Sequence, residues 1–477
     1  MSNKSDVRGK YLVKNTAIFA LGNIATKFIT FFLVPLYTNA LSKPEYGIVD
    51  LVSTISIVLA PILILNINEA VMRFSLDKNA DYERIMSIGL SALVGGILIG
   101  IAVIPISSLF NSISSLGLLI YLYTISLGSS QLFLSYLRGR EKLILYSIGN
   151  FLNTLLIAIF NILFLLYFKL GVKGYIYAFI LSYTITAIYA FIAANISRVI
   201  IKFKFDIMLA KQMVKYSVVL IPNTFMWWIM NSSDRVMVTY YLGAAANGVY
   251  AISNKLPSLI SLFASVFSQA WSYSAVREDG SVDESEYSNS VFKMFISVVM
   301  LCGIGLLTVI KVFLYYYVAE SFFEAWKYTP FLIIGCVYLA LATFMSTSYT
   351  VHKDSFGFLF SAAFGASLNV VLNFMLILTV GIQGAAIATC ISYIAVFLFR
   401  LFHTRKYLYY NVNIKEFYFG TIMMIITTIL MFVDNIYGFL FQFLILAISL
   451  IFYYKSWMPL ISKFYMLIKG KMQNGAK

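Results

Sequence analysis

Charge is scarce in this sequence. Of 477 residues, 12% are Asp, Glu, Lys or Arg, against about 25% in an average soluble domain, while 61% are hydrophobic and 17% aromatic. Mean hydropathy is +0.86. A chain this apolar is not disordered, since disorder needs low hydrophobicity. Nor does it suit a water-soluble enzyme, because a core of this size cannot hide so many apolar side chains. Other scarcities narrow the reading further. The three cysteines, Cys302, Cys336 and Cys390, stand in apolar stretches without metal-ligand spacing and read as inert helix residues. His352 and His403 fall in short loops, where a solvated side chain is the default. There is no G-x-x-x-x-G-K-[ST] phosphate loop, no G-x-S-x-G elbow and no long outer loop that would carry a catalytic domain. The sequence shows no active site, and no cofactor is expected.

What it does have is a succession of long apolar runs, each near the 20 residues that cross a bilayer as a helix. They lie near 13–38, 46–67, 85–108, 113–136, 146–168 and 172–195, then 216–241, 248–272, 291–315, 328–350, 356–379 and 382–402, with two more near 416–433 and 437–455. The polar opening MSNKSDVRGKYLVKN leads into the first run without a small-residue cleavage site, so that run is read as a retained span. The expected fold is all-α and polytopic, with about 14 spans. It comprises an N-terminal lobe over 1–210, a C-terminal lobe over 211–410, and two added helices with a basic tail over 411–477.

The net charge of +15 comes from 35 Lys and Arg against 20 Asp and Glu. With the N-terminus inside, the basic clusters Arg138, Arg140, Lys142 and Arg198, Lys202, Lys204, Lys211, Lys215 all fall on the inner side, as does the tail. Outer loops keep only Lys43, Lys169, Lys173, Lys311 and Lys327. This asymmetry sets orientation rather than nucleic-acid binding and places both termini in the cytoplasm. The halves also echo each other. GVKGYIYAFILSY at 171–183 matches GIQGAAIATCISY at 381–393, and Tyr37 to Gly47 corresponds more weakly to Tyr241 to Gly248. Two groups of six helices make parallel repeats, with a substrate path and central cavity expected between them.

Charged groups at membrane depth are costly and face a wet interior or a partner. Lys27 shares a face of the first run with Thr16, Asn23 and Thr30 and either lines the cavity or snorkels to the headgroups. In the seventh run Asn223, Trp227, Asn231 and Asp234 fall at i, i+4, i+8 and i+11, with Arg235 alongside. Asp234 and Arg235 belong either to this stripe or to a charge cluster at the outer interface, and Pro222 removes a backbone donor below them. Lys255 accompanies a row of serines in the eighth run. Glu69 and Arg73, four residues apart, are spaced to pair or to anchor a helix end. Deep charges without an assigned opposite are cationic, which points to an anionic ligand.

The chain resembles the Wzx-like polysaccharide flippases of O-antigen and capsule assembly, members of the multidrug/oligosaccharidyl-lipid/polysaccharide superfamily. The likeness rests on NTAIFALGNIATKFITFFLVPLYTNALSKPEYGIVDL, on LRGREKLILYSIGN, on IPNTFMWWIMNSSDRVMVTYYLGAAANGVYAISNKL and on the paired GVKG and GIQG openings. It implies a two-lobed transporter of the bacterial cytoplasmic membrane that passes an undecaprenyl-diphosphate-linked oligosaccharide to the outer leaflet by alternating access. Its implied partners are the bilayer, a polysaccharide polymerase and a chain-length regulator, and coupling to H+ or Na+ is expected. In that scheme Lys27, Asn23, Arg73, Asn223, Trp227, Asn231, Arg235 and Lys255 meet the substrate, while Asp234 and Glu69 serve ion coupling. Three rivals remain. A multidrug and toxin extruder would favour deep carboxylates over lysines. A membrane glycosyltransferase or polymerase would show an acidic motif or a large outer loop. A flippase of peptidoglycan precursor shares the same charge logic.

Overall fold

The computed structural model describes residues 29, 31–77, 79–106, 111–278, 280, 283–412, 414–433, 435–456 and 458. Among them every regular element is helical, and the fold is that of a membrane protein with about 14 crossing helices. Ten described helices are long and apolar enough to cross a membrane. The chain forms two compact units, Met1–Ala251 and Ile252–Lys477. In chain order the helices of the first are α1 (Phe31–Ala40), α2 (Lys43–Leu63), α3 (Ile67–Ser75), α4 (Tyr82–Gly100), α5 (Val103–Ile106), α6 (Gly117–Gly139), α7 (Leu143–Asn161), α8 (Gly171–Ala194), α9 (Ile196–Ile201), α10 (Ile207–Leu242) and most of α11 (Ala244–Ser253). The second holds α12 (Pro257–Glu278), α13 (Glu284–Tyr317), α14 (Thr329–Met345), α15 (Thr347–Val351), α16 (Ser355–Val380), α17 (Ile382–His403), α18 (Lys415–Met431) and α19 (Ile436–Phe452).

Several of the expected continuous spans are interrupted. The second stops at Leu63, turns through Leu65 and Asn66, both at positive φ, and resumes as α3. The eighth is split by a turn at Asn254–Leu256, and α12 opens on Pro257. Proline fits that place because a first-turn residue has no use for its missing N–H. Conversely, α10 is longer than expected at 36 residues and runs through Pro222.

In the first unit α6 packs against α2, α3 and α8, while α10 lies on α2 and α3. The core is built by Leu51, Val52, Ile120 and Ile176 at one level and by Ile67, Val71, Leu132, Leu137 and Met213 at another. Outward positions such as Phe151, Ile188 and Ile192 are apolar and exposed, the arrangement expected when lipid rather than water is outside. At one end of this unit Arg84 reaches Asp206 at 3.0 Å, Lys204 reaches Glu83 at 3.0 Å, and Arg140 donates to the Ala194 carbonyl at 2.9 Å. These bonds gather the basic stretches into one polar rim.

At the start of α2, Ser42 and Glu45 form a capping box with proline in the first turn, which fixes where the helix begins. Here α2 crosses α11 very closely. A Cβ on Gly47 would lie 1.8 Å from the Ala244 carbonyl oxygen, and a Cβ on Gly248 would lie 2.2 Å from that of Lys43. The contact is reciprocal: the two glycines occupy corresponding places in the weaker sequence echo, and each accommodates the backbone of the other helix.

The stronger echo is visible in each unit as well. Gly171 and Gly381, at φ +56° and +69°, precede or open α8 and α17. Inside those helices Ser182 donates to the Ala178 carbonyl at 2.6 Å and Ser392 to that of Ala388 at 2.7 Å. In the second unit, Phe344 of α14 is packed by Trp271, Phe292 and Phe295, with ring centroids 5.0–5.2 Å away. Arg400 is 1% exposed in α17. It joins three helices by donating to Ser361 Oγ at 3.1 Å and the Ala342 carbonyl at 2.9 Å. The last two helices are part of this unit, α18 and α19 both lying on α13.

Gly47→Ala is expected to destabilise the protein by about 1–3 kcal/mol through overpacking, read as a lowered unfolding midpoint in detergent. Gly95→Ala, where nothing lies within 4 Å of the new methyl, should be near neutral. In the second unit the Gly357 amide, the Tyr407 hydroxyl and the Lys406 ammonium hold the Asp354 carboxyl down to about 2. A lowered carboxyl stabilises the fold above its unfolded pKa of about 3.9 and loses that contribution as the pH falls through its folded value. The stability gap between wild type and Asp354→Asn should therefore be widest above about pH 4 and shrink toward about pH 2.

Candidate functional site

In the first unit, one end of α2 and α3 faces α6, α7 and α10 across a cavity of about 570 Å3. Its wall is unusually polar for a membrane-spanning body. Asn66, Asn68 and Glu69 come from the α2–α3 turn and α3, Gln131, Ser135 and Arg138 from α6, Tyr146 and Asn150 from α7, and Asn223 and Thr224 from α10. The break after Leu63 makes this possible. It turns the chain so that Asn66 and Asn68 are buried while Glu69 remains half-buried at the wall. On α6 the inward set Gln131, Ser135, Arg138 follows the i, i+4, i+7 rhythm of one helix face.

Part of this polarity is satisfied locally. Asn68 Nδ2 donates to Glu69 Oε1 at 3.3 Å, Asn150 Nδ2 to the Tyr146 carbonyl at 3.0 Å, and Thr224 Oγ1 to the Leu220 carbonyl at 3.2 Å. Two acceptors are left over. The side-chain oxygens of Asn68 and Asn223 are buried without a hydrogen-bond partner among the described residues. A buried acceptor left unmade costs about 1–3 kcal/mol.

A second constellation lies where α2, α10 and α11 meet. Tyr46, Gly47, Asp50, Leu51 and Thr54 form the buried stripe of α2. Arg235 Nη1 donates to Asp50 Oδ1 at 3.0 Å, and Asn247 Nδ2 donates to the Gly47 carbonyl at 2.9 Å and to Asp50 Oδ2 at 3.4 Å. Asp234 accepts from its neighbour's amide, Arg235 N–H, at 2.9 Å and from the Tyr250 hydroxyl. Further along α10, Trp228 Nε1 donates to the Thr54 carbonyl at 3.0 Å. Two carboxylates, one guanidinium, a phenol and an amide thus join three helices beside the glycine crossing.

The residues singled out from the sequence are dispersed by this geometry. Asn223 and Glu69 enter the cavity. Arg73 does not: it is half exposed and pairs with Asp77 at 2.7 Å, one turn on, rather than with Glu69. Arg235 is not an unmatched cation, since Asp50 neutralises it, and Asp234 shares the same network. Trp227 is half-buried on α10, and exposed Asn231 donates back to the Trp227 carbonyl at 2.7 Å. Lys255 stands half-buried in the turn that splits α11 from α12, in the second unit. Asn23 and Lys27 lie outside the described residues. The described wall of this cavity in the first unit is accordingly amide-rich, with one arginine and one carboxylate.

The sequence reading missed Asp50, Asn247, Tyr250, Asn66, Asn68, Gln131 and Asn150. Asp50 carried a signal, an isolated acid within an apolar run, but nothing local pairs it with a residue 185 positions away.

The family model described as "Polysaccharide biosynthesis protein" matches residues 12–273. No curated protein sequence matches the chain. Among solved structures, "Lipid II flippase MurJ, inward closed conformation" superposes with a TM-score of 0.69 at 16% identity, covering 93% of this chain and 100% of that one. An inward-facing multidrug resistance MATE family transporter of the MOP superfamily gives 0.61 at 15% identity, covering 81% of this chain and 97% of the other. MATE in complex with MaL6 gives 0.55 at 15%, covering 83% and 95%. At such identities the likeness is one of fold.

The buried pair can be isolated by a double-mutant cycle. Asp50→Asn or Arg235→Gln alone strands the other charge and should cost about 3–5 kcal/mol. The double variant should recover part of that loss, with a coupling of about 1–3 kcal/mol, measured by equilibrium unfolding in mixed micelles. Strictly additive losses would show that the two side chains act independently.

Proposed function

The chain belongs to the polysaccharide biosynthesis protein family, and from that premise we propose that it is a flippase for undecaprenyl-diphosphate-linked oligosaccharide repeat units. It acts in the bacterial cytoplasmic membrane, with both termini inside, and supplies O-antigen, capsule or another exopolysaccharide. A polymerase and a chain-length regulator use its product. The observation that carries the reading is the polar cavity of the first unit. Amides, hydroxyls, one arginine and one carboxylate face a common space in a body whose outer surface is made for lipid. Polar groups at membrane depth persist where they serve a pathway or a ligand, and this set suits a hydroxyl-rich headgroup rather than a hydrocarbon.

The fold shared with a lipid flippase and with multidrug transporters supports a carrier working by alternating access. A multidrug extruder would call for carboxylates or an aromatic cage around a cation. In this cavity Glu69 and Arg138 are the two charged residues described on the wall, and Tyr146 is the one aromatic residue described there. The diphosphate falls to basic residues of the sequence reading, Lys27 of the first span foremost. Coupling to H+ or Na+ falls to Asp234 and Glu69.

The test is reconstitution. Full-length protein in liposomes should speed the transfer of a fluorescent undecaprenyl-diphosphate oligosaccharide between leaflets, and Lys27→Ala should slow it at least tenfold without loss of protein. Deleting the gene should abolish the corresponding surface polymer. Ethidium export by the reconstituted protein, with no effect on the lipid, would establish the extruder instead.

A further inference from the structure

The stretch that joins α8 to α10 is unlike the spans on either side of it. After Asn195 the chain runs through the short α9, leaves helical structure between Lys202 and Asp206, and enters α10. Along it, exposed apolar side chains are interleaved with basic ones. Ile201 is 83% exposed, Phe203 53%, Phe205 52% and Met208 72%. Arg198, Lys202, Lys204, Lys211 and Lys215 supply five positive charges against the single carboxylate of Asp206. The rings of Phe203 and Phe205 stack on each other, with centroids 6.5 Å apart and planes 13° from parallel.

Bonds to α4 hold this stretch in place. The Lys204 amide donates to Ser87 Oγ at 3.3 Å and its ammonium pairs with Glu83 at 3.0 Å. One Asp206 oxygen accepts from Arg84 at 3.0 Å, while the other caps α10 through the amides of Met208 and Leu209. With residues 204 and 206 tied to α4, the intervening Phe203 and Phe205 are left to face outward. Two properties then fix the depth at which they lie. The N–H groups of Phe203 and Phe205 have no acceptor among the described residues, and hydrocarbon does not tolerate backbone groups left unbonded. A contiguous apolar row, for its part, is a mark of an interaction surface when it is left in water. The headgroup layer meets both demands, since aromatic rings settle there and lysines extend to it. The remaining charges select the lipid. Arg198, Lys202, Lys211 and Lys215 are exposed and make no ion pair among the described residues, so the surface they share with the two rings is cationic.

We propose that residues 198–215 form a docking surface for anionic phospholipid. Phe203, Phe205 and Met208 enter the upper acyl region, while Lys202, the other three free cations and the two unbonded amides engage phosphate oxygens. By the orientation given above, the leaflet is the inner one. The inference goes beyond the flippase reading and needs only that the chain lie in a membrane. Because Lys204 and Asp206 are bonded to α4, lipid held at this surface fixes the foot of α10 at the level of the headgroups.

The test is rapid-mixing hydrogen exchange on full-length protein in nanodiscs of two compositions, phosphatidylcholine alone and phosphatidylcholine with phosphatidylglycerol. Amides of the peptide spanning 202–208 should exchange about tenfold more slowly in the anionic nanodiscs, and a peptide from α16 serves as the internal reference. Raised salt should remove most of the difference, since exposed charges are screened. Arg198→Gln, Lys202→Gln, Lys211→Gln and Lys215→Gln combined should make exchange the same in both compositions. Phe203→Ser with Phe205→Ser should speed it in both. All six positions are exposed, so unfolding midpoints should stay near that of the parent. Should either variant fail to fold, the parent protein compared across the two lipid compositions, with the salt titration, still decides.

Equal exchange in neutral and anionic nanodiscs overturns the proposal, as does a difference that survives loss of the four cations. Slowing seen in native membrane vesicles but not with phosphatidylglycerol also overturns it, and gives the surface to a protein partner instead. Lipid transfer is not measured in any arm, so the flippase reading stands or falls separately.

Discussion

Where α2 crosses α11, two carbonyl oxygens occupy the space in which a side chain would otherwise begin, and much of the first unit follows from that. The backbones can meet because Gly47 and Gly248 have no Cβ. Once they meet, Asp50 lies one turn from the crossing on α2 and Asn247 sits in it on α11, so the amide of one reaches both the Gly47 carbonyl and the Asp50 carboxylate. The same proximity brings Arg235 within 3.0 Å of Asp50 and Tyr250 onto Asp234. Away from water, such close approach is how helices without a hydrophobic driving force hold together: small residues allow van der Waals contact, and polar side chains then bond across the seam. The charges here are part of the seam, which is why Arg235 is not available as a lone cation.

The polar cavity and the charged seam are different answers to the cost of polarity in hydrocarbon. In the seam the charges are paired across three helices, and the result is cohesion. In the cavity the polar groups are mostly neutral amides and hydroxyls bonded within their own helices, as Asn150 is to the Tyr146 carbonyl and Thr224 to that of Leu220. The break between α2 and α3 separates the two, since it ends the buried stripe that runs to the crossing and starts the turn that feeds the cavity.

Most of the helices were legible because a span in lipid must be both long and apolar, so runs such as 356–379 and 382–402 reappear as α16 and α17 within a residue or two. The breaks were less legible, although each carried a mark. Pro257 sits at the first turn of α12, and a reading that ran from 248 to 272 passed over it. Asn66 at positive φ shows its meaning only once the chain has turned. The repeat was legible and reaches down to single hydrogen bonds, Ser182 to Ala178 and Ser392 to Ala388. The site was the least legible part. Charge drew attention to Arg73 and Arg235, both of which the structure gives acidic partners, while the amides that build the cavity are individually unremarkable and acquire a purpose only as neighbours. Asp50 and Arg235 are 185 residues apart, and no periodicity within one helix joins them.

The length of α10 has a mechanical consequence. Thirty-six residues at 1.5 Å each extend about 54 Å, well beyond a hydrocarbon thickness of about 30 Å. The helix is therefore a rod that spans every depth of its unit, touching the cavity at Asn223 and the seam at Asp234 and Arg235. Between those points lie three turns of hydrogen-bonded backbone, which resist stretching and twisting far more than the surrounding lipid does. Pro222, one residue before Asn223, removes one backbone hydrogen bond from the rod just there.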